Sequence, residues 1–368
     1  MTKKDSDLKI LKEMMSELNK QGPLYKPGNY WEFFEKGILK QIKSNNLENF
    51  RKWPGGPPGN IQSFGGGDDT RSRFFGKNYH PFDIKFDIIE KLRIFSFYNK
   101  IINFISKYLP FFSFLSIRSL DAKNYYFDQI RYLQALLHYY IKIYDIENST
   151  LEDSKSGNPY GNKINGKYYT NSFFFYMLFT TIIKKNIDLQ KVKFVIDLGS
   201  GVGFMGNYIK KLNNKIKYIC CDIPPTIFIA ENYLKNCNYK VAGYDYFKNI
   251  KNIEEIEFDK FDCFCVPSWK SELFKNFKAD LFINMGSFQE MEVEQVRNYL
   301  NIFTNKIDNI FLFETIEEKT RADKKGKFGV IEPINKKFYY NYLNEIGFVE
   351  KFYLPMESKF SVFFKREN

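Results

Sequence analysis

The sequence predicts an α/β protein: a doubly wound, Rossmann-like sheet ending in an antiparallel hairpin, preceded by a mainly α-helical N-terminal domain. Three observations carry this. From about residue 190, short apolar runs alternate with helical segments, the pattern of a parallel sheet covered by helices. The first run, KFVIDLG (193–199), opens a glycine-dense turn, DLGSGVGFMG (197–206). The last two, FVEKFYL (348–354) and KFSVFFK (359–365), are separated only by PMES, and strands joined so closely must be antiparallel.

Along the chain, residues 1–50 read as helices, as in the apolar spacing of WEFFEKGILKQI (31–42). WPGGPPGNIQSFGGGDDT (53–70) is too rich in glycine and proline for an element and reads as a long loop of the kind that carries function. Its Asp68–Asp69 pair suits a turn, with a metal as the sharper alternative. Residues 84–116 look helical, as do 121–146, where Phe127, Ile130, Leu133, Leu137 and Ile141 recur at helical intervals. SGNPYGNKINGKYYTN (156–171) is turn-rich, and SFFFYMLFTTIIKK (172–185) is a helix. KFVIDLG is a buried parallel strand, followed by a helix with Met205, Tyr208, Ile209 and Leu212 on one face. KIKYICCD (215–222) is the second strand, and PPTIFIAENYLKN (224–236) its helix, with proline in the first turn where no N–H is needed. NYKVAGYDY (238–246) and FDCFCVPSW (261–269) compete for the third core strand. ADLFINMG (279–286) is a fourth, EVEQVRNYLNIF (292–303) its helix, and NIFLFET (309–315) a fifth. A basic loop, EEKTRADKKGK (317–327), leads to a helix at 335–346 ending at Gly347, which suits a C-cap. The change of texture divides the chain into residues 1–185 and 186–368.

Composition narrows the class. Apolar residues make up 44%, with 40 Phe and 26 Tyr, enough for a sizeable core. The net charge of +12 admits a polyanionic partner, but the lysines are scattered without a basic block, which fits compositional drift as well. Cys220, Cys221, Cys237, Cys263 and Cys265 form an odd set without repeated C-x-x-C spacing, so neither a disulfide framework nor a zinc site is expected. Reduced thiols and a start without an apolar signal region point to the cytoplasm, and no bound metal is expected. The most apolar stretch, residues 94–117, is broken by Lys100, Lys107 and Pro110. It is therefore no transmembrane span, but a buried helix or, alternatively, an interfacial one giving weak peripheral membrane contact.

The glycine turn has two readings. From Gly199 it is D-x-G-x-G-x-G, which suits S-adenosylmethionine; from Gly201 it is G-x-G-x-x-G, which suits a nicotinamide dinucleotide. Asp197 separates them. A carboxylate there repels a pyrophosphate at the helix N-terminus but attracts the ammonium of a methionine moiety. Asp222, ending the second strand, suits the ribose hydroxyls of either ligand. The closing hairpin is the pattern of class I methyltransferases, whereas most dinucleotide domains continue with parallel strands. S-adenosylmethionine is the expected cofactor.

With these features the chain resembles the sugar O-methyltransferase family. FVIDLGSGVGFMG looks like motif I of the class I methyltransferases; CCDIPPTIFIAENYL, ADLFINMGSFQEM, NYWEFFEKGI with NLENFRKW, and SGNP with YYTNS look like that group's further segments. The resemblance spans roughly residues 30–365. It implies transfer of a methyl group to a sugar hydroxyl of a bacterial surface glycan or of its nucleotide-linked or phosphorylated precursor, with residues 186–368 binding the cofactor and residues 1–185 covering the acceptor.

On this reading Gly199, Ser200, Gly201 and Gly203 pass close to the methionine moiety, with Asp197 drawing its ammonium. Asp222 holds the ribose and Ile223 packs near adenine. Pro267, Ser268 and Trp269 flank the adenine or, for Trp269, fill the core. Asn284 and Met285 line the floor or pack the strand end. A sugar hydroxyl benefits from a general base. Glu290 is the first candidate, its alternative being a charge at the N-terminus of the next helix. His80, near the glycine-rich loop, is the second; Glu314 is weaker, and His138 reads as a core histidine. Two rivals stand beside this: an RNA methyltransferase, although no RNA-binding module is evident, and a nucleoside-binding module without turnover.

Overall fold

The computed structural model describes residues 3–45, 47–53, 83–84, 151–159, 161–164, 166–356 and 358–367. The expectations for 54–82, for 85–150 and for His80, His138 and Asp68–Asp69 lie outside these residues.

Two helices open the chain, α1 (Lys3–Asn19) and α2 (Asn29–Asn45). A small sheet follows: β1 (Asp83–Ile84) pairs parallel with β2 (Asn162–Ile164), which turns back into β3 (Lys167–Tyr169). The stretch read as turns therefore carries a short hairpin about Gly166, and Tyr168 and Tyr169 are buried on it. Thr170 caps α3 (Asn171–Asn186) by accepting the Phe173 N–H at 3.0 Å.

The α/β half follows: β4 (Phe194–Leu198), α4 (Phe204–Leu212), β5 (Lys217–Asp222), α5 (Thr226–Asn236), β6 (Val241–Ala242), the single turn α6 (Tyr244–Phe247), β7 (Cys263–Pro267), β8 (Leu281–Met285), α7 (Val293–Phe303), β9 (Asn309–Thr315), α8 (Lys336–Glu345), β10 (Phe348–Met356) and β11 (Lys359–Arg366). The sheet order is β10-β11-β9-β8-β4-β5-β7-β6, and β11 runs against the rest.

The competition for the third strand is resolved by pairing. Residues 263–267 lie beside β5 in full register, while Gly243 ends 241–242 after two residues and leaves them at the edge. Pro225 stands at the N-cap of α5 rather than inside its first turn. The strands of the terminal hairpin run longer than expected, β10 extending through Met356.

Alternating side chains bury both faces of the sheet. Val195, Tyr218, Cys220, Leu281 and Phe311 join α3, α4, α5 and the N-terminal helices in one core; Ile196, Ile219, Phe282, Ile310 and Leu312 join α7 and α8 in the other. That is why these strands read as continuous apolar runs. All five cysteines are free thiols, four of them buried. In the first core, buried Arg51 pairs with buried Asp153 at 3.0 Å and stacks its guanidinium 4.7 Å from the Phe204 ring centre. Among the described residues, no helix is long and apolar enough to cross a membrane.

From β4 the chain moves outward to β5 and the edge strand β6, returns to fill the gap with β7, then crosses to β8 and β9 on the other side of β4. This reversal makes the carboxyl end of β4 the switch point, where open α/β sheets bind ligands. The glycine turn lies there.

Candidate active site

A cavity of about 630 Å³ opens at the carboxyl ends of the strands, within the size range of small-molecule sites. Gly199 and Gly201 reach it after β4, Asp222 and Ile223 after β5, Ser268 after β7, and Met285, Gly286 and Ser287 after β8. Phe313 enters from β9 and Lys359 from β11, while Gly28, Tyr30, Trp31 and Phe34 bring in α2 and the residue before it.

The glycine turn takes its shape from backbone conformation and close packing. Gly199, Gly201 and Gly203 have φ of 65°, 59° and 82°, a region glycine enters without steric cost. Gly199 N–H donates to the Cys221 carbonyl at 2.7 Å, and a Cβ on Gly199 would lie 2.0 Å from Ser287 Oγ. Asn284 fastens this contact from beneath, its Nδ2 lying 2.6 Å from Ser287 Oγ and 2.9 Å from the Leu198 carbonyl. Asn284 is fully buried, so it holds the loop and does not line the floor.

Asp222 is pinned at both oxygens: Oδ2 accepts the Gly201 N–H at 2.8 Å and Oδ1 the Ile223 N–H at 2.7 Å. Burial pushes its carboxyl up to about 7, the two N–H groups oppose this, and the nearby Glu290 charge adds to the rise. A pyrophosphate on this turn would need the Gly201 N–H, which a carboxylate already holds.

Asp197 lies below the turn, 2% exposed, and does not line the cavity. Tyr218 donates its hydroxyl to Asp197 Oδ2 at 2.8 Å, and burial pushes the Asp197 carboxyl up to about 8. Ser200, Gly203 and Trp269 also stand outside the cavity wall: Gly203 is the N-cap of α4, and Trp269 packs against the first core. Ser268 lines the cavity, with its hydroxyl committed to the Tyr25 carbonyl at 2.7 Å.

Glu290 lies in a single 3-10 turn, Phe288–Glu290, and faces the cavity. The helix-end position belongs to Glu292, the N-cap of α7, whose N–H is accepted by Gln295 Oε1 at 3.1 Å. Lys319 Nζ stands 3.3 Å from Glu290 Oε1, and Tyr30 and Trp31 reach the same carboxylate from α2. Burial raises the Glu290 carboxyl above the ordinary range, while Lys319, Lys359 and the Trp31 indole draw it back. Glu314 is fully buried and accepts the Gly286 N–H at 3.0 Å and the Gln289 N–H at 3.1 Å. It orders the turn that carries Glu290.

The N-terminal wall is fastened at two points. Gln295 Nε2 donates to the carbonyls of Pro23 (3.0 Å) and Lys26 (2.8 Å). Asn29 Nδ2 donates to those of Lys327 (2.7 Å) and Gly329 (2.8 Å), and Asn29 Oδ1 accepts the Gly326 N–H at 2.7 Å. Tyr30, Trp31, Lys319 and Lys359, together with Ser287 and Gln289, are cavity residues that reading the sequence did not single out. The signal available for the first two was their place in NYWEFFEKGI, at the start of a helix whose apolar spacing also builds the core. Among the described residues, no cluster of side chains suits a metal ion.

The structure is thus a doubly wound, Rossmann-like sheet closed by an antiparallel hairpin, with a glycine turn at the switch point and an acid ending the next strand. No protein-family profile and no curated protein sequence matches the chain. Solved structures similar to it include the mitomycin 7-O-methyltransferase MmcR, at 12% identity and TM-score 0.34 over 53% of this chain and 57% of that one. The ribosomal protein L11 methylase of Lactobacillus delbrueckii subsp. bulgaricus matches at 13% identity and TM-score 0.34, over 53% of this chain and 78% of that one. The magnesium protoporphyrin IX methyltransferase ChlM of Synechocystis PCC 6803, solved with bound SAH, matches at 10% identity and TM-score 0.37, over 52% and 82%. The match to MmcR thus spans little more than half of that protein's length.

Proposed function

We propose that the chain is an S-adenosylmethionine-dependent O-methyltransferase whose acceptor is a sugar hydroxyl of a surface glycan or its precursor. One observation carries this reading: a single cavity joins the Gly199–Gly201 turn and Asp222 at one end to the Glu290 carboxylate at the other. S-adenosylmethionine fits the donor end because the turn offers close backbone approach, its Gly201 N–H is unavailable to a diphosphate, and both Asp222 oxygens keep lone pairs for hydroxyl groups. Bound there, it supplies an activated methyl group. Gly199, Gly201, Asp222, Ile223, Ser268 and Met285 would hold it, while Asp197, Ser200, Gly203 and Asn284 support the turn from behind.

At the other end, Glu290 takes the proton of the acceptor hydroxyl at its carboxylate. Lys319, Tyr30 and Trp31 orient that carboxylate, and α2 keeps water from the reacting atoms. The sugar assignment is supported by Tyr30, Trp31 and Phe34, which give aromatic surface beside the carboxylate for a pyranose ring and its hydroxyls. In this division, residues 186–368 bind the donor and residues 1–185 cover the acceptor.

The test is calorimetry with adenosylhomocysteine and NAD, followed by incubation with labelled methyl donor and a panel of nucleotide sugars. Adenosylhomocysteine binding and label transfer to a sugar are expected. Uptake of NAD alone would overturn the cofactor, and label appearing only in RNA would overturn the acceptor.

A further inference from the structure

The sheet sorts the cavity residues in order. Ser268 follows β7, Asp222 ends β5, the glycine turn follows β4, Glu290 follows β8, Lys319 follows β9, and Lys359 begins β11. The nucleoside-type residues thus lie on one side of Glu290 and both lysines on the other.

We propose that this second side is an anion subsite, in which Lys359 and Lys319 hold a carboxylate or phosphate that the acceptor carries near the hydroxyl to be methylated. This rests on the methyl-transfer reading above and names the acceptor class more closely.

The balance of charge supports it. On this side the cavity wall presents two ammonium groups against one carboxylate, Glu290, which pairs with Lys319 at 3.3 Å. Lys359 is partly buried, and its ammonium has neither ion pair nor hydrogen bond among the described residues. Its close neighbour is the Phe313 ring, 4.8 Å from Nζ to centroid. Burial holds the Lys359 ammonium below its ordinary range and the like charge of Lys319 lowers it further, while the Glu314 and Glu290 carboxylates offset only part of this. Glu314, the other carboxylate nearby, is turned into the protein and accepts two backbone N–H groups. Lys26 also touches the cavity, but its ammonium is given to the Asn19 carbonyl at 2.9 Å. A half-buried ammonium with no ion-pair or hydrogen-bond partner in direct reach is costly, and an anion on the acceptor reduces that cost.

The experiment titrates inorganic phosphate, glucuronate and uncharged glucose into protein saturated with adenosylhomocysteine, following binding by NMR. Wild type, Lys359→Met and Lys365→Met are compared; Lys365 is exposed on the same strand and controls for net charge. Phosphate, glucuronate or both should bind wild type and Lys365→Met alike, and Lys359→Met should weaken that binding roughly ten- to a hundredfold, the worth of one charge-assisted hydrogen bond. Preference for phosphate or for glucuronate then identifies which anion the acceptor bears. Equal anion binding in Lys359→Met and wild type, or no anion binding at all, overturns the subsite while leaving the methyl-transfer reading intact. Failure of adenosylhomocysteine to bind wild type strikes the methyl-transfer reading instead.

Discussion

Lys319 stands 3.3 Å from Glu290, so the carboxylate proposed as the base is held by a cation from the loop after β9. Burial raises the Glu290 carboxyl, and the lysine offsets part of that rise. Only the ionised carboxylate accepts a proton, so turnover should fall as pH drops through the raised value. Lys319→Met removes the offset and should move the acid limb of the pH–rate profile to higher pH. Glu290→Gln should lower kcat by roughly 10²–10⁴ with adenosylhomocysteine affinity unchanged. An unshifted acid limb in Lys319→Met, or full turnover in Glu290→Gln, would remove Glu290 from the mechanism.

Asp222 tests the donor end. In Asp222→Asn one of the two backbone N–H groups, of Gly201 or Ile223, must face an amide NH₂ instead of an acceptor. Adenosylhomocysteine affinity should fall about ten- to a hundredfold by calorimetry. Retention of wild-type affinity would show that the nucleoside sits elsewhere.

Gly199 and Gly347 separate backbone strain from crowding. Both have positive φ, 65° and 83°, but a Cβ at Gly347 meets nothing within 4 Å, whereas one at Gly199 strikes Ser287. Gly347→Ala should cost about 1–2 kcal/mol in denaturant unfolding, the left-handed penalty alone. Gly199→Ala should cost clearly more and abolish adenosylhomocysteine binding. Equal losses would mean that Ser287 yields without consequence.

Asp197 makes stability depend on pH. Its carboxyl rises from 3.8 to about 8 on folding because burial disfavours the charge. A carboxyl raised in the fold stabilises most when protonated, so its contribution is present at low pH and lost as pH climbs through about 8. Asp197→Asn retains an oxygen for the Tyr218 hydroxyl and removes the charge. The variant should gain stability over wild type on the order of a few kcal/mol at about pH 9, with the gain shrinking toward pH 5. Melting temperatures across that range check this; a gain that grows toward acid would reverse the assignment.

The strands β4, β5, β8 and β9 were legible because each is buried on both faces and bounded by turn residues. The pair at 241–242 and 263–267 was not, because both stretches are apolar and only pairing to β5 decides which is inner. Gly199, Gly201 and Asp222 could be read from local spacing, since turn chemistry is local. Whether Glu290 or Glu292 caps α7 could not, because helix ends shift by a residue or two without changing the pattern. Tyr30, Trp31 and Lys359 reach the cavity from opposite ends of the chain, and no local pattern records a meeting made by tertiary packing.

The seams at Gln295 and Asn29 join the beginning of the chain to α7 and to the loop after β9, each through one side-chain amide bonded to main-chain atoms. Substitutions along α2 beyond Asn29 can therefore accumulate without loosening these stitches. On the methyl-transfer reading, the cavity wall that α2 contributes is thereby tunable by substitution while its attachment to the sheet stays fixed.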